Sequence, residues 1–248
     1  MHRRDLLIGS ALCALSATAI TTNAWGASAP NDQPVAALLS WLRSRADKPT
    51  SAVQLAGEIR KQANQLEARV LAFELVRAMP YRLARFDAAK PDGLFQTGYG
   101  DCRHKAAALN RLFQALGETS RPILMAFDWK DLPIPRQILA PLDETRGFHD
   151  CVEIEINRRF VLADATWDPG LLAAGFPGSI PWDGLNPTSA ITDKASSAIH
   201  HASYKSYGEL FERYRIRWPQ REKTLAFNRL FNRWASNLRD AGALSARR

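Results

Sequence analysis

The chain has 248 residues, of which 46% are hydrophobic and 23% are charged, and its formal net charge is +8. This composition suits one globular domain with a sizeable core and excludes a largely disordered chain. The charge is uneven, because residues 205–248 contain eleven Lys or Arg against four Asp or Glu. The basic character therefore belongs to the C-terminal segment.

Residues 1–29 have the plan of an export signal. Arg3 and Arg4 precede a short apolar run that Ala, Gly, Ser and Thr interrupt, and small residues follow it. The paired arginines favour a twin-arginine signal; an ordinary secretory signal is the alternative, and the run is too short for a membrane anchor. We expect a bacterial protein that is periplasmic or secreted, with a single domain over residues 30–248.

Helices are predicted on both sides of a central segment, residues 79–170. Apolar periodicity predicts helices over 31–46 and 52–78, and a helical tail over 203–248 with a break at Pro219. The clearest element is a helix over 102–116, with Asp101 as its N-cap and Gly117 at its end. Strands are expected near 121–127 and on both sides of residues 157 and 158. The predicted fold class is α+β.

The hairpin around residues 157 and 158 allows its register to be predicted. A two-residue turn pairs Ile156 with Arg159, so His149 faces Thr166 and becomes a diagonal neighbour of Asp164 on the same sheet face. Such neighbours are roughly 7–8 Å apart at the backbone, which a histidine and a carboxylate can bridge.

These residues fit nucleophilic catalysis by Cys102. A helix N-terminus and a nearby imidazolium lower the pKa of a thiol, so the thiolate is expected to form readily. His149 would hold the proton and Asp164 would orient the imidazole. The backbone N–H of Cys102 is one donor for an oxyanion. Three side chains qualify as the second donor: Tyr81, Gln96 and Tyr99.

Three segments in this order resemble the transglutaminase-like superfamily of the papain-like fold. They are "GYGDCRHKAAALNRLFQALG", "FHDCVEIEI" and "RFVLADATWDP", which together cover roughly residues 79–169. The resemblance implies a papain-like core in which Cys102, His149 and Asp164 are nucleophile, base and orienting acid. It also implies a cysteine peptidase or amidase that forms a thioester and needs no cofactor. Transglutaminase-type cross-linking and a non-catalytic binding module are the alternatives.

Cys151 departs from the family, which often has an aromatic residue at that position. It shares the strand face of His149, so a disulfide with Cys102 is possible in an oxidising compartment. Zinc is disfavoured because Cys102 and His104 are two apart on a helix and diverge. His104 is interpreted as a surface or capping residue and Asp168 as a turn former.

The expected substrate is a protein or peptide, and nucleic acid is not expected for an exported protein. Aromatic stripes at helical spacing in the tail predict packing against the body. The arginines of the same segment predict contact with an acidic partner such as a membrane surface.

Overall fold

The computed structural model describes residues 33–45, 47–178 and 181–245. The predicted export signal over residues 1–29 lies outside them. The described part is a mixed α+β fold, as expected, in which helices pack on a four-stranded antiparallel sheet. None of the described helices combines the length and the apolar character that crossing a membrane requires.

Three helices precede the central segment: α1 (Gln33–Arg43), α2 (Ala52–Arg60) and α3 (Gln65–Ala78). The prediction of one helix over 52–78 is wrong, because Asn64 has extended backbone and starts a new helix. Its side chain accepts from the backbone N–H of Glu67, whose own side chain reaches back to the N–H of Asn64. This capping box satisfies backbone N–H groups that are left unpaired where a helix starts, and a continuous helix would have no unpaired N–H groups here.

A short helix α4 (Gly93–Thr97) leads into α5 (Cys102–Ala115), the predicted central helix. Asp101 is its N-cap, and its side chain accepts from the backbone N–H of Arg103 at 3.1 Å. Gly117 follows the helix with a φ of 86°, a conformation that favours glycine. Both predicted ends of this helix are confirmed within a residue.

The sheet has the strand order β3-β2-β1-β4. The four strands are β1 (Ser120–Asp128), β2 (Arg146–Ile156), β3 (Arg159–Ala163) and β4 (Ile199–His200). Ile156 pairs with Arg159, which confirms the predicted register. Asn157 and Arg158 form the turn with φ values of 51° and 63°, as a type I′ turn requires.

The remaining helices lie between and after the strands. They are α6 (Arg136–Leu139), α7 (Pro169–Ala173), α8 (Tyr207–Arg213) and α9 (Arg221–Ser245), with short 3₁₀ turns at Trp129–Asp131 and His201–Ser203. The predicted break before the last helix is present, but it is wider than expected, because α8 already ends at Arg213 and α9 begins at Arg221. Phe227 and Phe231 of α9 are buried, which confirms that this aromatic stripe packs on the body.

Two large packed regions form most of the hydrophobic core of the described residues. The first, called the apolar core, joins α1, α2, α3 and α5 to one face of β2; its members include Phe73, Leu109, Leu112, Phe113, Val152 and Ile154. The second, called the aromatic region, lies under α9; its members include Tyr81, Phe127, Trp167, Leu171, Phe227 and Phe231. Cys102 is partly buried against the aromatic region.

Candidate active site

Cys102 is the first residue of α5 and its side chain is only partly buried. The segment before it is fixed by Gly100, which bridges to Tyr81 and accepts from the backbone N–H of Arg82 at 2.9 Å. A Cβ on Gly100 would come within 2.4 Å of the Cβ of His104. A glycine is therefore required two residues before the thiol.

His149 and Asp164 meet as the register predicts. The imidazole of His149 is fully buried, and its Nε2 lies 2.7 Å from Oδ2 of Asp164. Oδ1 of Asp164 accepts from the backbone N–H of Thr166 at 3.1 Å. The backbone N–H of Asp164 donates to Oγ1 of Thr188 at 2.9 Å. The carboxylate is thus held at both oxygens, and it orients the ring with Nδ1 free.

The Nδ1 atom of His149 has no aligned hydrogen-bond partner among the described residues. The thiol of Cys102 is nevertheless close enough to the ring to affect its protonation. Burial lowers the pKa of His149, but Asp164 and, to a smaller extent, Cys102 raise it by more than burial lowers it. The resulting pKa is about 10. At neutral pH the ring therefore carries its proton in the resting site.

The pKa of Cys102 moves in the direction opposite to the prediction from its sequence. Burial raises the thiol pKa above its usual value, and the opposing effect of His149 does not compensate. Asp101 also raises it slightly. The helix N-terminus and the imidazolium were expected to dominate, but desolvation of the thiolate is the larger effect, even though the side chain keeps some exposure to solvent.

Tyr81 is the oxyanion candidate that shares its surroundings with Cys102, since both belong to the aromatic region. Its ring is 1% exposed and packs against Trp167 at a centroid distance of 4.6 Å. Burial raises the pKa of Tyr81 well above its usual value, and Cys102 is the strongest of the neighbouring charges that raise it further. The phenol therefore remains a hydrogen-bond donor beside the thiol.

The other two oxyanion candidates are turned elsewhere. Gln96 is exposed on α4, and none of the hydrogen bonds found among the described residues involves its side chain. Tyr99 is partly exposed, and its ring lies under the guanidinium of Arg82 at 4.7 Å. Among the described residues, no hydrogen bond joins either side chain to Cys102.

Cys151 lies on β2, two residues after His149, and is 2% exposed. It packs with Ile123 and Met125 on the sheet face that carries His149. Both described cysteines are free thiols. Burial raises the pKa of Cys151 well above its usual value, so its thiol is neutral.

The structural role of Asp168 was underestimated from the sequence. Its side chain caps α7, as a turn former would, but it is also buried and accepts from the backbone N–H of Tyr81 at 2.7 Å. Arg239 of α9 binds the same carboxylate, with Nη2 2.6 Å from Oδ2, and donates to the carbonyl of Tyr81 at 2.7 Å. The pair thus fixes the backbone of Tyr81 from both sides.

Two further residues of α5 are buried, one of which was expected on the surface. His104 is buried rather than on the surface; its Nδ1 lies 2.9 Å from Oδ1 of Asp101 and its Nε2 3.0 Å from the carbonyl of Arg85. Its capping role is confirmed. Lys105 is buried and donates to two backbone carbonyls. No periodicity or motif in the sequence distinguishes a buried lysine from an exposed one at this position.

The described residues contain no cluster of three or more His, Cys, Asp or Glu side chains that could hold a metal ion. The two ring nitrogens of His104 already face Asp101 and Arg85. The candidate site therefore combines four groups: the thiol of Cys102, the imidazole of His149, the carboxylate of Asp164 and the phenol of Tyr81. Such a set is suited to acyl transfer by a nucleophilic cysteine.

Comparison with known proteins adds no assignment to this geometry. No protein-family model matches the chain, and no curated protein shows significant similarity to it. The interpretation of the site therefore depends on its residues.

Proposed function

We propose that this chain is an exported cysteine peptidase or amidase, with a papain-like, transglutaminase-like core, that cleaves amides of a protein or peptide substrate. The observation that carries the proposal is the buried His149, whose Nε2 lies 2.7 Å from Asp164 while the ring interacts with the Cys102 thiol. The packing of α5 on β2 of an antiparallel sheet supports the same core.

The reactive form is the thiolate of Cys102 paired with the imidazolium of His149. Asp164 stabilises the imidazolium, which explains why the pKa of His149 is raised to about 10. Because burial raises the pKa of Cys102 as well, both groups are protonated in the resting site at neutral pH. The pair loses one proton as the pH rises, and activity is expected to increase toward alkaline pH.

The thiolate attacks the amide carbonyl and forms a tetrahedral intermediate whose oxygen is negatively charged. The backbone N–H of Cys102, which has no partner inside the helix, and the phenol of Tyr81 are the proposed donors to that oxygen. As the C–N bond breaks, Nδ1 of His149 gives its proton to the leaving amine. The acyl group then remains on Cys102 as a thioester.

Water completes the reaction. The neutral His149 takes a proton from water at Nδ1, and the hydroxide formed attacks the thioester. The C–S bond breaks, the acid product leaves, and the thiolate and imidazolium are restored. An amine in place of water would give an amide cross-link by the same route, which is the transglutaminase alternative.

The basic C-terminal segment is divided between internal and external roles. Arg239 binds Asp168 inside the protein, and Arg213 pairs with Glu209. Arg221, Arg229 and Arg233 of α9 are exposed. We propose that these three arginines contact an acidic partner such as a membrane surface.

The function is tested by incubating the reduced protein with a mixture of unfolded proteins at alkaline pH and identifying new N-termini by mass spectrometry. The expected result is cleavage by the wild type and by Cys151→Ser, and none by Cys102→Ser. Addition of a primary amine reports cross-linking as amine incorporation. Equal cleavage by Cys102→Ser would contradict the proposal, as would the absence of both cleavage and an acylated Cys102.

A further inference from the structure

Lys105 is a buried amine that the proposed mechanism does not use. It lies on α5 three residues after Cys102 and is 1% exposed. Its Nζ donates to the carbonyl of Arg77 at 3.2 Å and to that of Thr166 at 2.8 Å. No carboxylate of the described residues lies within ion-pair distance of it. Burying an amine without a carboxylate partner is unfavourable, so the burial of Lys105 calls for an explanation.

The hydrogen bond to Thr166 leads directly to the candidate active site. The N–H of Thr166 donates to Oδ1 of Asp164 at 3.1 Å, and Oδ2 of Asp164 lies 2.7 Å from Nε2 of His149. Lys105 therefore binds the backbone carbonyl of Thr166, and the backbone N–H of Thr166 orients the Asp164 carboxylate. The order of contacts is amine, backbone of Thr166, carboxylate and imidazole.

We propose that Lys105 is a positioning residue that fixes the Thr166 backbone, and through it Asp164, in the orientation that His149 requires. The inference rests on the proposed function, in which His149 and Asp164 act on Cys102. It assigns to a lysine three residues after the nucleophile a part in setting the protonation of the base, although it touches none of the reacting atoms.

The charged groups around Lys105 come from three elements. Asp164 and Asp168 follow β3, Arg77 belongs to α3 and Arg239 to α9. Burial lowers the pKa of Lys105 to about 7, and the two aspartates oppose that effect. A neutral amine keeps two N–H donors, which is the number of carbonyls it contacts. The hydrogen bonds therefore persist when the amine loses its proton, so positioning does not depend on its charge.

The test is an NMR titration of the His149 imidazole in the reduced full chain, comparing Lys105→Met with Leu109→Ala. Leu109 lies one turn further along α5, is 1% exposed and lines the same small pocket as Lys105 and Thr166. Its apolar side chain makes no hydrogen bond, so its truncation disturbs packing there without removing a hydrogen bond to Thr166. In Lys105→Met the carboxylate loses its fixed orientation, and the pKa of His149 is expected to fall from about 10 by one unit or more. In Leu109→Ala it is expected to stay at the wild-type value.

An unchanged His149 pKa in folded Lys105→Met, or an equal fall in Leu109→Ala, would overturn the inference. Should Lys105→Met fail to fold, Lys105→Gln takes its place, with the same expected direction because the shorter amide does not span both carbonyls. The titration needs no substrate. Its failure is thus distinguishable from failure of the proposed function, which the Cys102→Ser cleavage assay reports.

Discussion

The apolar core and the aromatic region bury similar kinds of hydrophobic side chains but differ in their polar contents. In the apolar core, hydrophobic side chains of α1, α2, α3 and α5 pack on the sheet, and the buried Lys105 of α5 donates to a backbone carbonyl of α3. The aromatic region adjoins a buried carboxylate, Asp168, with its arginine, and the thiol of Cys102. We infer that the apolar core mainly stabilises the fold, whereas the aromatic region positions the residues of the candidate site. Variants in each region should separate these two roles.

The largest effect is expected from Cys102→Ala. The variant loses the nucleophile, so kcat/KM for amide cleavage is expected to fall by more than about 10⁴-fold. The free energy of unfolding should change little, because Cys102 is only partly buried. Cleavage of a fluorogenic peptide measures the first quantity and urea unfolding measures the second. Cys151→Ser is the matched control, which should retain cleavage.

Arg239→Met should damage both stability and activity. It leaves the carboxylate of Asp168 buried without its guanidinium, which is expected to destabilise the protein by about 3–5 kcal/mol. It also frees the carbonyl of Tyr81, so cleavage should fall in the molecules that remain folded. Arg233→Met, on an exposed position of the same helix, is the control. Equal unfolding curves for the two variants would show that the Arg239–Asp168 pair does not stabilise the fold.

Leu112→Ala should act on stability alone. Leu112 is fully buried in the apolar core, and its truncation is expected to lower the free energy of unfolding by about 2–5 kcal/mol. Urea unfolding measures this change. Below the unfolding transition the pH dependence of Cys102 alkylation should match the wild type. A shifted alkylation profile would mean that the two regions are coupled.

Asp101→Asn should reduce the sensitivity of stability to acid. Burial raises the pKa of Asp101, but His104 and Arg103 lower it more, to about 2. A folded pKa below the unfolded value of about 3.9 gives stability that is present above pH 4 and is lost as the pH falls toward 2. The difference from the wild type should thus be about 2–3 kcal/mol at pH 7 and shrink below pH 4. Urea unfolding between pH 2.5 and 7 measures it, and a constant difference would contradict it.

The parts of the site that the sequence predicts are those set by local rules. The strand alternation of residues 149–156 and the two-residue turn determine the register, and the register determines that His149 meets Asp164. An N-cap and a glycine define α5 in the same way. Each of these signals lies within a few residues of the feature it specifies.

The parts that could not be predicted depend on contacts between distant segments. Asp168 finds Arg239 71 residues away, and Lys105 finds Thr166 61 residues away. Neither pairing leaves a periodic signal in the sequence. The rise in the Cys102 pKa was missed for the same reason, since it depends on how much water the surrounding segments exclude.

The most direct test of the central claim is the rate of iodoacetamide alkylation at Cys102 as a function of pH, read by mass spectrometry on the reduced protein. His149→Gln, which keeps much of the side-chain volume, is compared with the wild type. Burial places the wild-type midpoint above the ordinary thiol value of about 8.5. Because His149 opposes that rise, the midpoint should move still higher in His149→Gln. Coincident curves for the two proteins would contradict the claim that His149 and Cys102 act as one catalytic pair.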